Sequence, residues 1–243
     1  MLPFFKKMRE ARRPRCAALV VAAGHSTRMD GVNKVLQPLD GVPVLVRTLA
    51  AFQVAGSVDE VIVAAREEDI LEISQLCRTY GLTKCVKVIR GGESRVHSAL
   101  LAALEASKEM ELLAVHDGAR PLVTPELIDR VAAAAARCSA AVPAVALKDT
   151  VKSIRQDGGV EETLDRDRLR AVQTPQIFEA SLLKAALQSA LEQDASVTDD
   201  ASAVERLGKV VFLVEGEEEN LKITTPMDMI LAEAIVKARE EGR

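Results

Sequence analysis

A loop of small residues followed by two cations is the segment of this chain best suited to chemistry. It follows the apolar run 19–21 and carries, in order, Ala22, Ala23, Gly24, Arg28 and Lys34. Small residues let backbone N–H groups approach a ligand closely, and two fixed cations can hold several phosphate charges. The loop does not match G-x-x-x-x-G-K-[ST] or a dinucleotide fingerprint. It therefore indicates a nucleoside triphosphate site without a Walker motif, the alternative being an ordinary turn with two surface cations.

Two further polar clusters, at residues 91–98 and 117–120, also follow predicted strands. Parallel strands place their carboxyl ends at one edge of a sheet, where ligands bind. Asp117 ends its strand, and a carboxylate there suits a ribose or a Mg²⁺ ion. His116 has no second ligand at metal spacing, so we interpret it as structural. His97 is expected on the surface of the helix that follows the first cluster.

Strand and helix patterns alternate along most of the chain. Strands are predicted at 17–22, 61–64, 86–89, 112–115, 140–145 and 210–214, and helices at 44–55, 67–78, 94–106, from Thr124–Pro125 onward, 179–191, 201–207 and 225–240. This order predicts an α/β fold with a doubly wound, mostly parallel, Rossmann-like sheet and right-handed crossovers.

The alternation breaks at about residues 149–175, which we expect to form a protruding β-arm. Segments 150–155 and 160–164 read as strands, joined by a turn at Asp157, Gly158 and Gly159. An isolated two-stranded ribbon is marginal in water, so the arm should pack on a second subunit. The expected organisation is a homodimer of one domain, residues 16–243, each carrying this arm.

Composition excludes several classes of protein. Hydrophobic residues make up 48% of the chain but aromatic residues only 2%, and the net charge is -4. Few aromatics and an acidic balance argue against nucleic acid as a partner, and no window reaches the ~18 apolar residues of a membrane span. The four cysteines form no CxxC pair, which favours reduced thiols and a cytoplasmic location.

The first fifteen residues are basic. No apolar signal-peptide run follows them, so residues 1–15 are expected to be a solvated, disordered leader. A nucleic-acid or membrane arm is the alternative for this segment.

Seven motifs occur in an order that resembles the 2-C-methyl-D-erythritol 4-phosphate cytidylyltransferases of isoprenoid biosynthesis. They are VVAAGHSTRM…NK, GGESRVHSA, VHDGARPLV, LKDTVK, LDRDRLRAVQTPQIF, VTDDASAVE and VEGEEENLKITTP. The resemblance covers nearly the whole chain beyond the leader. It implies a nucleotidyltransferase fold and a reaction of CTP, with Mg²⁺ or another divalent cation, and a methylerythritol phosphate, releasing pyrophosphate. It also implies that the protein lacks the cyclase domain fused to longer relatives.

The same resemblance assigns roles to individual residues. The implied catalytic residues are Arg28, Lys34, Arg166 and Lys222. The implied substrate-binding residues are Ala22, Ala23, Gly24, Gly91, Gly92, Glu93, Ser98, Asp117, Arg120, Thr150, Thr174 and Thr198, with Asp117 also a candidate metal ligand. Residues 91–98 would read the cytosine, while Thr150 and Arg166 would act on the partner subunit's site.

Three positions depart from the family pattern. Ser26 and Val35 stand where Gly and Gln are common, and Glu219 replaces a frequent Asp. Two alternatives therefore remain: a cytidylyltransferase for another alcohol phosphate, such as ribitol 5-phosphate, and a non-catalytic dimeric nucleotide-binding module.

Overall fold

A mixed eight-stranded sheet with helices on both faces forms the body of the molecule. The computed structural model describes residues 12–24 and 33–242. Its strands are β1 (Cys16–Val21), β2 (Pro38–Leu39), β3 (Val42–Pro43), β4 (Glu60–Ala65), β5 (Cys85–Arg90), β6 (Leu112–Asp117), β7 (Ala140–Ala146), β8 (Lys152–Ile154), β9 (Val160–Thr163), β10 (Arg170–Val172), β11 (Gln176–Glu179) and β12 (Phe212–Glu215). Its α-helices are α1 (Val44–Val54), α2 (Ile70–Thr79), α3 (Arg95–Glu105), α4 (Pro125–Cys138), α5 (Ala180–Glu192), α6 (Asp200–Arg206) and α7 (Pro226–Glu240).

The centre of the sheet is parallel, in the order β5-β4-β1-β6. Beyond β6 the sheet becomes mixed, because β11 lies antiparallel between β6 and β7. Ala141 of β7 pairs with Ile177 of β11 and with Phe212 of β12, so β12 runs along the opposite edge of β7. The mostly parallel, doubly wound fold is confirmed. β10 and β11 were not predicted from the sequence.

The two faces of the sheet bury alternate residues of β1, as the twofold period of a strand requires. Cys16, Ala18 and Val20 belong to the core shared with α1, α2 and α4. Ala17 and Leu19 belong to the core shared with α3, α5 and α6. Because helices cover both faces, every position of this strand is apolar.

The last helix is fixed to the body at both its start and its inner face. Thr225 caps α7 by accepting from the Asp228 N–H, and the Asp228 side chain accepts from Thr225 in return. This reciprocal capping satisfies N–H groups that would otherwise lack partners. Ala232 and Val236 then pack against a small core that includes Ile223. The loop that precedes α7 is therefore held close to the sheet.

The predicted arm contains β8 and β9, which form a separate two-stranded antiparallel sheet. Its strands are shorter than the sequence indicated, and Gly158, with φ +83°, makes the turn between them. Ile154 and Val160 are 68% and 53% exposed. Apolar side chains on an exposed ribbon are compatible with an interface, but the assignment of the arm to a dimer stays a prediction.

Residues 12–15, at the end of the expected leader, are described by the structure. Residues 1–11 of the expected leader lie outside the described residues. The Arg13 guanidinium donates to both carboxylate oxygens of Asp59 at 2.9 and 2.8 Å, and Asp59 also accepts from the Cys16 N–H at 2.9 Å. Within the part of the expected leader that is described, Arg13 is thus joined to the body of the fold, and the leader stays a prediction.

Within residues 12–24 and 33–242, no helix combines the length and the apolar composition that a membrane span needs. All four cysteines are free thiols.

Candidate active site

The candidate site lies where the strand order reverses. The chain runs from β1 outward to β4 and β5, then returns to β6 on the other side of β1. Open α/β sheets bind ligands in the crevice at such a switch point. The register pairs Val21 with Asp117, so the loops after β1 and β6 face each other. Between them is a cleft of about 280 Å³, lined by Val21, Ala22, Ala23, Gly24, Lys34, Val35, Gly92, Glu93, Ser94, Arg95, Ser98, Asp117, Ala119 and Lys222.

The Asp117 carboxylate is the electrostatic centre of the cleft. The Arg95 Nε donates to its Oδ1 at 3.0 Å, and the Lys222 Nζ lies 2.8 Å from its Oδ2. The Arg120 Nε lies 3.8 Å from the same Oδ2. Burial alone would raise the pKa of Asp117, but the charges of Arg95, Lys222 and Arg120 outweigh it and hold the pKa well below the usual range. Asp117 is therefore ionised, and the cations around it outnumber it.

A buried carboxyl group on α6, that of Asp200, contacts Arg95 through a different nitrogen from the one that contacts Asp117. The Asp200 side chain is fully buried, and its Oδ2 lies 2.8 Å from the Arg95 Nη1. Neither Asp200 oxygen has a hydrogen-bond partner, and the Arg95 Nη1 has none either. At 2.8 Å the two groups form a close pair that is poorly aligned for a hydrogen bond. Burial raises the pKa of Asp200, and the positive charge of Arg95 opposes this. Burial would lower the pKa of Arg95, but the charges of Asp200 and Asp117 raise it above its ordinary value.

His116 and Thr174 fix the backbone around Asp117. The His116 Nε2 lies 3.3 Å from the Arg120 carbonyl, which can only accept, so this nitrogen carries the proton. Nδ1 then accepts from the Thr174 hydroxyl at 3.0 Å, and that hydroxyl accepts from the Asp117 N–H at 3.2 Å. Burial lowers the pKa of His116 to about 3, which keeps the ring neutral. The structural interpretation of His116 agrees with these contacts.

Gln173 and Asn220 join the segment before β11 to the loop that carries Lys222. The Gln173 amide donates to the Glu217 carbonyl at 2.8 Å and its oxygen accepts from the Glu217 N–H at 3.2 Å. The side-chain amide of Asn220, which is fully buried, donates to the Thr174 carbonyl at 2.9 Å. The main-chain carbonyl of Asn220 accepts from the Arg120 Nη1 at 2.7 Å. The positions of Lys222 and Asp117 are therefore set by one connected network.

The wall after β5 needs glycine because of close packing. A Cβ at Gly91 would lie 2.4 Å from the Ala23 Cβ, and one at Gly92 would lie 2.3 Å from the His97 Cγ. The Ser98 hydroxyl accepts from the Gly92 N–H at 3.0 Å and donates to the Ser94 carbonyl at 2.9 Å. Ser98 therefore shapes the loop. His97 lies on α3 and is half-buried, and its Nδ1 accepts from the Glu93 N–H at 3.3 Å.

The structure brings together most of the predicted residues it describes. Those that line the cleft are Ala22, Ala23, Gly24, Lys34, Gly92, Glu93, Ser98, Asp117 and Lys222. Gly91 and Thr174 pack directly behind it, and Arg120 reaches Asp117. Arg28 and Ser26 lie outside the described residues.

Three predicted residues do not line the cleft of their own chain. Thr150, Arg166 and Thr198 are exposed. The Arg166 Nη1 donates to the Lys148 carbonyl at 2.7 Å, within the arm. Thr198 precedes α6 without a contact to the cleft residues.

In the described ranges no three His, Cys, Asp or Glu side chains are grouped to hold a metal ion. Both oxygens of Asp117, the candidate ligand, are in contact with cations. As placed here, Asp117 is an ion-pair partner of Arg95 and Lys222, and its role as a metal ligand stays a prediction.

Arg95 and Asp200 are the site residues that sequence reasoning missed. Asp200 lies in the first turn of α6, where an acidic residue is an ordinary helix-start feature, whereas Arg95 lies in the first turn of α3, where a cation opposes the helix dipole. Their position was the available signal, because Arg95 lies within the motif GGESRVHSA and Asp200 within VTDDASAVE, both of which carry the family resemblance. Only the fold shows that the two clusters meet.

Cations gathered at the switch point of a doubly wound sheet, in a sequence without a P-loop motif, are what a nucleotidyltransferase requires. The family model described as 2-C-methyl-D-erythritol 4-phosphate cytidylyltransferase matches residues 16–238. The chain belongs to this family.

Similar proteins agree with that assignment. A 2-C-methyl-D-erythritol 4-phosphate cytidylyltransferase of Bacillus cytotoxicus is 43% identical over 90% of this chain and 96% of its own length. One from Dehalococcoides mccartyi is 40% identical over 90% and 95%. The crystal structure of 4-diphosphocytidyl-2C-methyl-D-erythritol synthase from Anaerococcus prevotii superposes with a TM-score of 0.82 at 30% identity, covering 93% of this chain and all of that one.

Proposed function

We propose that this protein transfers the cytidylyl group of CTP to 2-C-methyl-D-erythritol 4-phosphate. The products are 4-diphosphocytidyl-2-C-methyl-D-erythritol and pyrophosphate, and the pathway is isoprenoid precursor biosynthesis. Membership of the family, across residues 16–238, supports the reaction. The observation that carries it to this chain is the cleft at the switch point, where Lys34 and Lys222 line one space with Asp117.

The chemistry requires positioning and charge neutralisation more than covalent catalysis. A phosphate oxygen of the alcohol phosphate attacks the α-phosphorus of CTP in line. The new O–P bond forms as the bond from the α-phosphorus to the bridging oxygen breaks, and that oxygen leaves with pyrophosphate. The Lys222 Nζ, now 2.8 Å from Asp117, is the cation in the cleft best placed to bridge the two reacting phosphates.

The nucleotide would lie across the cleft with its base towards β5. Backbone groups of Gly91, Gly92 and Glu93 offer the donors and acceptors that a cytosine edge requires. Lys34 would contact the triphosphate, and Arg28 would do so from the same loop after β1. Asp117 would face the ribose.

A divalent cation would enter bound to the triphosphate. Mg²⁺ commonly takes most of its ligands from phosphates and water, with one or two carboxylates. This fits a cleft in which Asp117 is already paired with cations. The ion would neutralise phosphate charge, while the residues of the chain bind and orient the substrates.

The arm would complete the acceptor site of a second subunit. The exposed positions of Thr150 and Arg166 in one chain support a role in trans for them. Arg166 would then position the phosphate of the alcohol. Free cysteines favour a reducing compartment, so we place the homodimer in the cytoplasm.

Pyrophosphate release from CTP, with methylerythritol phosphate and ribitol 5-phosphate as parallel acceptors, tests the proposal. Release with methylerythritol phosphate alone is expected. Release with ribitol phosphate alone would keep the CTP site and overturn the acceptor. No release from folded protein that still binds CTP would favour a non-catalytic binding module.

A further inference from the structure

Four ionisable side chains, alternately acidic and basic, connect the cleft to α6 behind it. They are Asp200, Arg95, Asp117 and Lys222, and we call them the charge chain. Successive contacts measure 2.8 Å from Asp200 Oδ2 to Arg95 Nη1, 3.0 Å from Arg95 Nε to Asp117 Oδ1, and 2.8 Å from Asp117 Oδ2 to Lys222 Nζ. The charge chain connects α6, α3, β6 and the loop before α7.

The buried Asp200–Arg95 pair of the charge chain costs free energy of folding. Asp200 is 0% exposed, and neither of its oxygens has a hydrogen-bond partner. A buried ion pair without aligned hydrogen bonds contributes little to stability, since desolvation of two charges offsets their attraction. An unsatisfied buried group of this kind calls for an explanation other than stability.

The geometry of Arg95 provides an explanation for the buried Asp200 side chain. A guanidinium is a planar fork with several donors, so it can hold two carboxylates at fixed angles at once. Asp200 contacts Nη1 and Asp117 contacts Nε, on different atoms of the same fork. With Nη1 held by Asp200, Arg95 is constrained in the orientation that fixes the Asp117 rotamer.

We propose that Asp200 and Arg95 are positioning residues, which hold Asp117 so that it places the Lys222 ammonium at the reacting phosphates. The catalytic part of this inference rests on the proposed function. Asp200 cannot touch a substrate because it is fully buried, so its effect must travel through Arg95. Arg95 acts through the orientation of its guanidinium, so a positive charge at residue 95 without that group would not replace it.

Asp200→Asn is the first test, because it replaces the carboxyl group that faces Arg95 with an amide and keeps the shape. We expect kcat to fall about 10-fold or more, while the KM for CTP changes by less than about threefold. Glu60→Gln is the matched control: Glu60 is buried, accepts from Ser107 N and Oγ at 2.8 and 2.6 Å, and lies outside the cleft. It should lower the melting temperature and leave kcat unchanged. Equal kcat in the two variants, or a change confined to KM, would overturn the proposal.

A double-mutant cycle separates positioning from general damage. If Asp200 acts through Lys222, Asp200→Asn should cost less than about twofold in kcat when Lys222→Met is already present. If kcat of the double variant fell by the product of the two single-variant losses, the charge chain would be contradicted. Arg95→Lys keeps the charge without the fork, so it should show the same loss as Asp200→Asn. Full activity in Arg95→Lys would also overturn the inference.

A crystal structure of Asp200→Asn gives an answer that does not need turnover. We expect the Arg95 guanidinium to turn and the Asp117–Lys222 contact to lengthen beyond a hydrogen bond. An unchanged contact would refute the positioning role even if the wild-type enzyme proved inactive with every acceptor. Inactivity of the wild type with a displaced Lys222 in the variant would instead count against the proposed function alone.

Discussion

Lys222 is the residue on which the proposed transfer depends most directly. It lines the cleft, and its contact with Asp117 holds the ammonium where two phosphates would meet. A preorganised charge of this kind acts on the transition state without reorganisation during the reaction.

Lys222→Met should therefore reduce kcat more than ~10²-fold, the loss typical for one preorganised contact. Steady-state kinetics and a melting curve would check the effect and the integrity of the fold. Lys209→Met is the matched control, since Lys209 is exposed and does not line the cleft. Near-normal turnover in Lys222→Met would remove Lys222 from the mechanism.

A substitution at Gly91 tests whether the cleft wall after β5 contacts the nucleotide. A Cβ there would approach the Ala23 Cβ to 2.4 Å, so Gly91→Ala must displace the small-residue loop. We expect overpacking to cost about 1–3 kcal/mol of stability, together with a clear rise in the KM for CTP. At Gly56 a Cβ would meet its neighbour at 3.5 Å, an ordinary contact, so Gly56→Ala should leave that KM unchanged. An unchanged KM in Gly91→Ala as well would show that the wall does not touch the nucleotide.

Among the elements, those with long periodic patterns were predictable from the sequence. The strands of the parallel core and the helices that cover them appear within a few residues of their expected places. β10 and β11 were missed because they have three and four residues, too short for a clear period. β11 also runs antiparallel inside a sheet whose sequence pattern indicated parallel strands.

The same limit applies to the site. Lys34, Asp117 and Lys222 belong to local motifs and could be chosen from the sequence. Arg95 and Asp200 contribute through a contact between α3 and α6, which no local pattern encodes. Side chains that act through long-range contacts need the fold before they can be recognised.

The link between the N-terminal segment and β4 gives a pH-dependent prediction. Hydrogen bonds from the Arg13 side chain lower the pKa of Asp59, against the effect of burial. Because the folded pKa of Asp59 lies below its unfolded pKa, the ionised carboxylate stabilises the fold at pH values above the unfolded pKa. This contribution is lost as the pH falls through the folded pKa. Asp59→Asn should cost about 1 kcal/mol at pH 7, since Arg13 is partly exposed.

Urea unfolding of wild type and Asp59→Asn across the acid range would measure this difference. The gap in unfolding free energy should close as the pH drops below the unfolded pKa of Asp59. A gap that is constant with pH would mean that the carboxylate charge is not what fixes the segment.

For the whole molecule, the proposed dimer predicts complementation. Arg166→Ala and Lys34→Ala should each be inactive, and mixing them with subunit exchange should restore about a quarter of all sites, because each heterodimer regains one complete site. Mixing Lys34→Ala with Lys222→Ala is the control, since both residues line the cleft of the same chain. That pair should not recover. Absence of recovery in the first mixture, with exchange demonstrated, would rule out a role of the arm in trans.

The most direct measurement of the central claim follows the phosphorus atoms of CTP. Wild-type protein is incubated with methylerythritol phosphate and CTP labelled at either the α- or the γ-phosphorus. The account predicts that the α label appears in the diphosphocytidyl alcohol and the γ label in pyrophosphate, with both transfers lost in Lys222→Met. Label released as inorganic phosphate, or no acceptor carrying the α label, would contradict cytidylyl transfer.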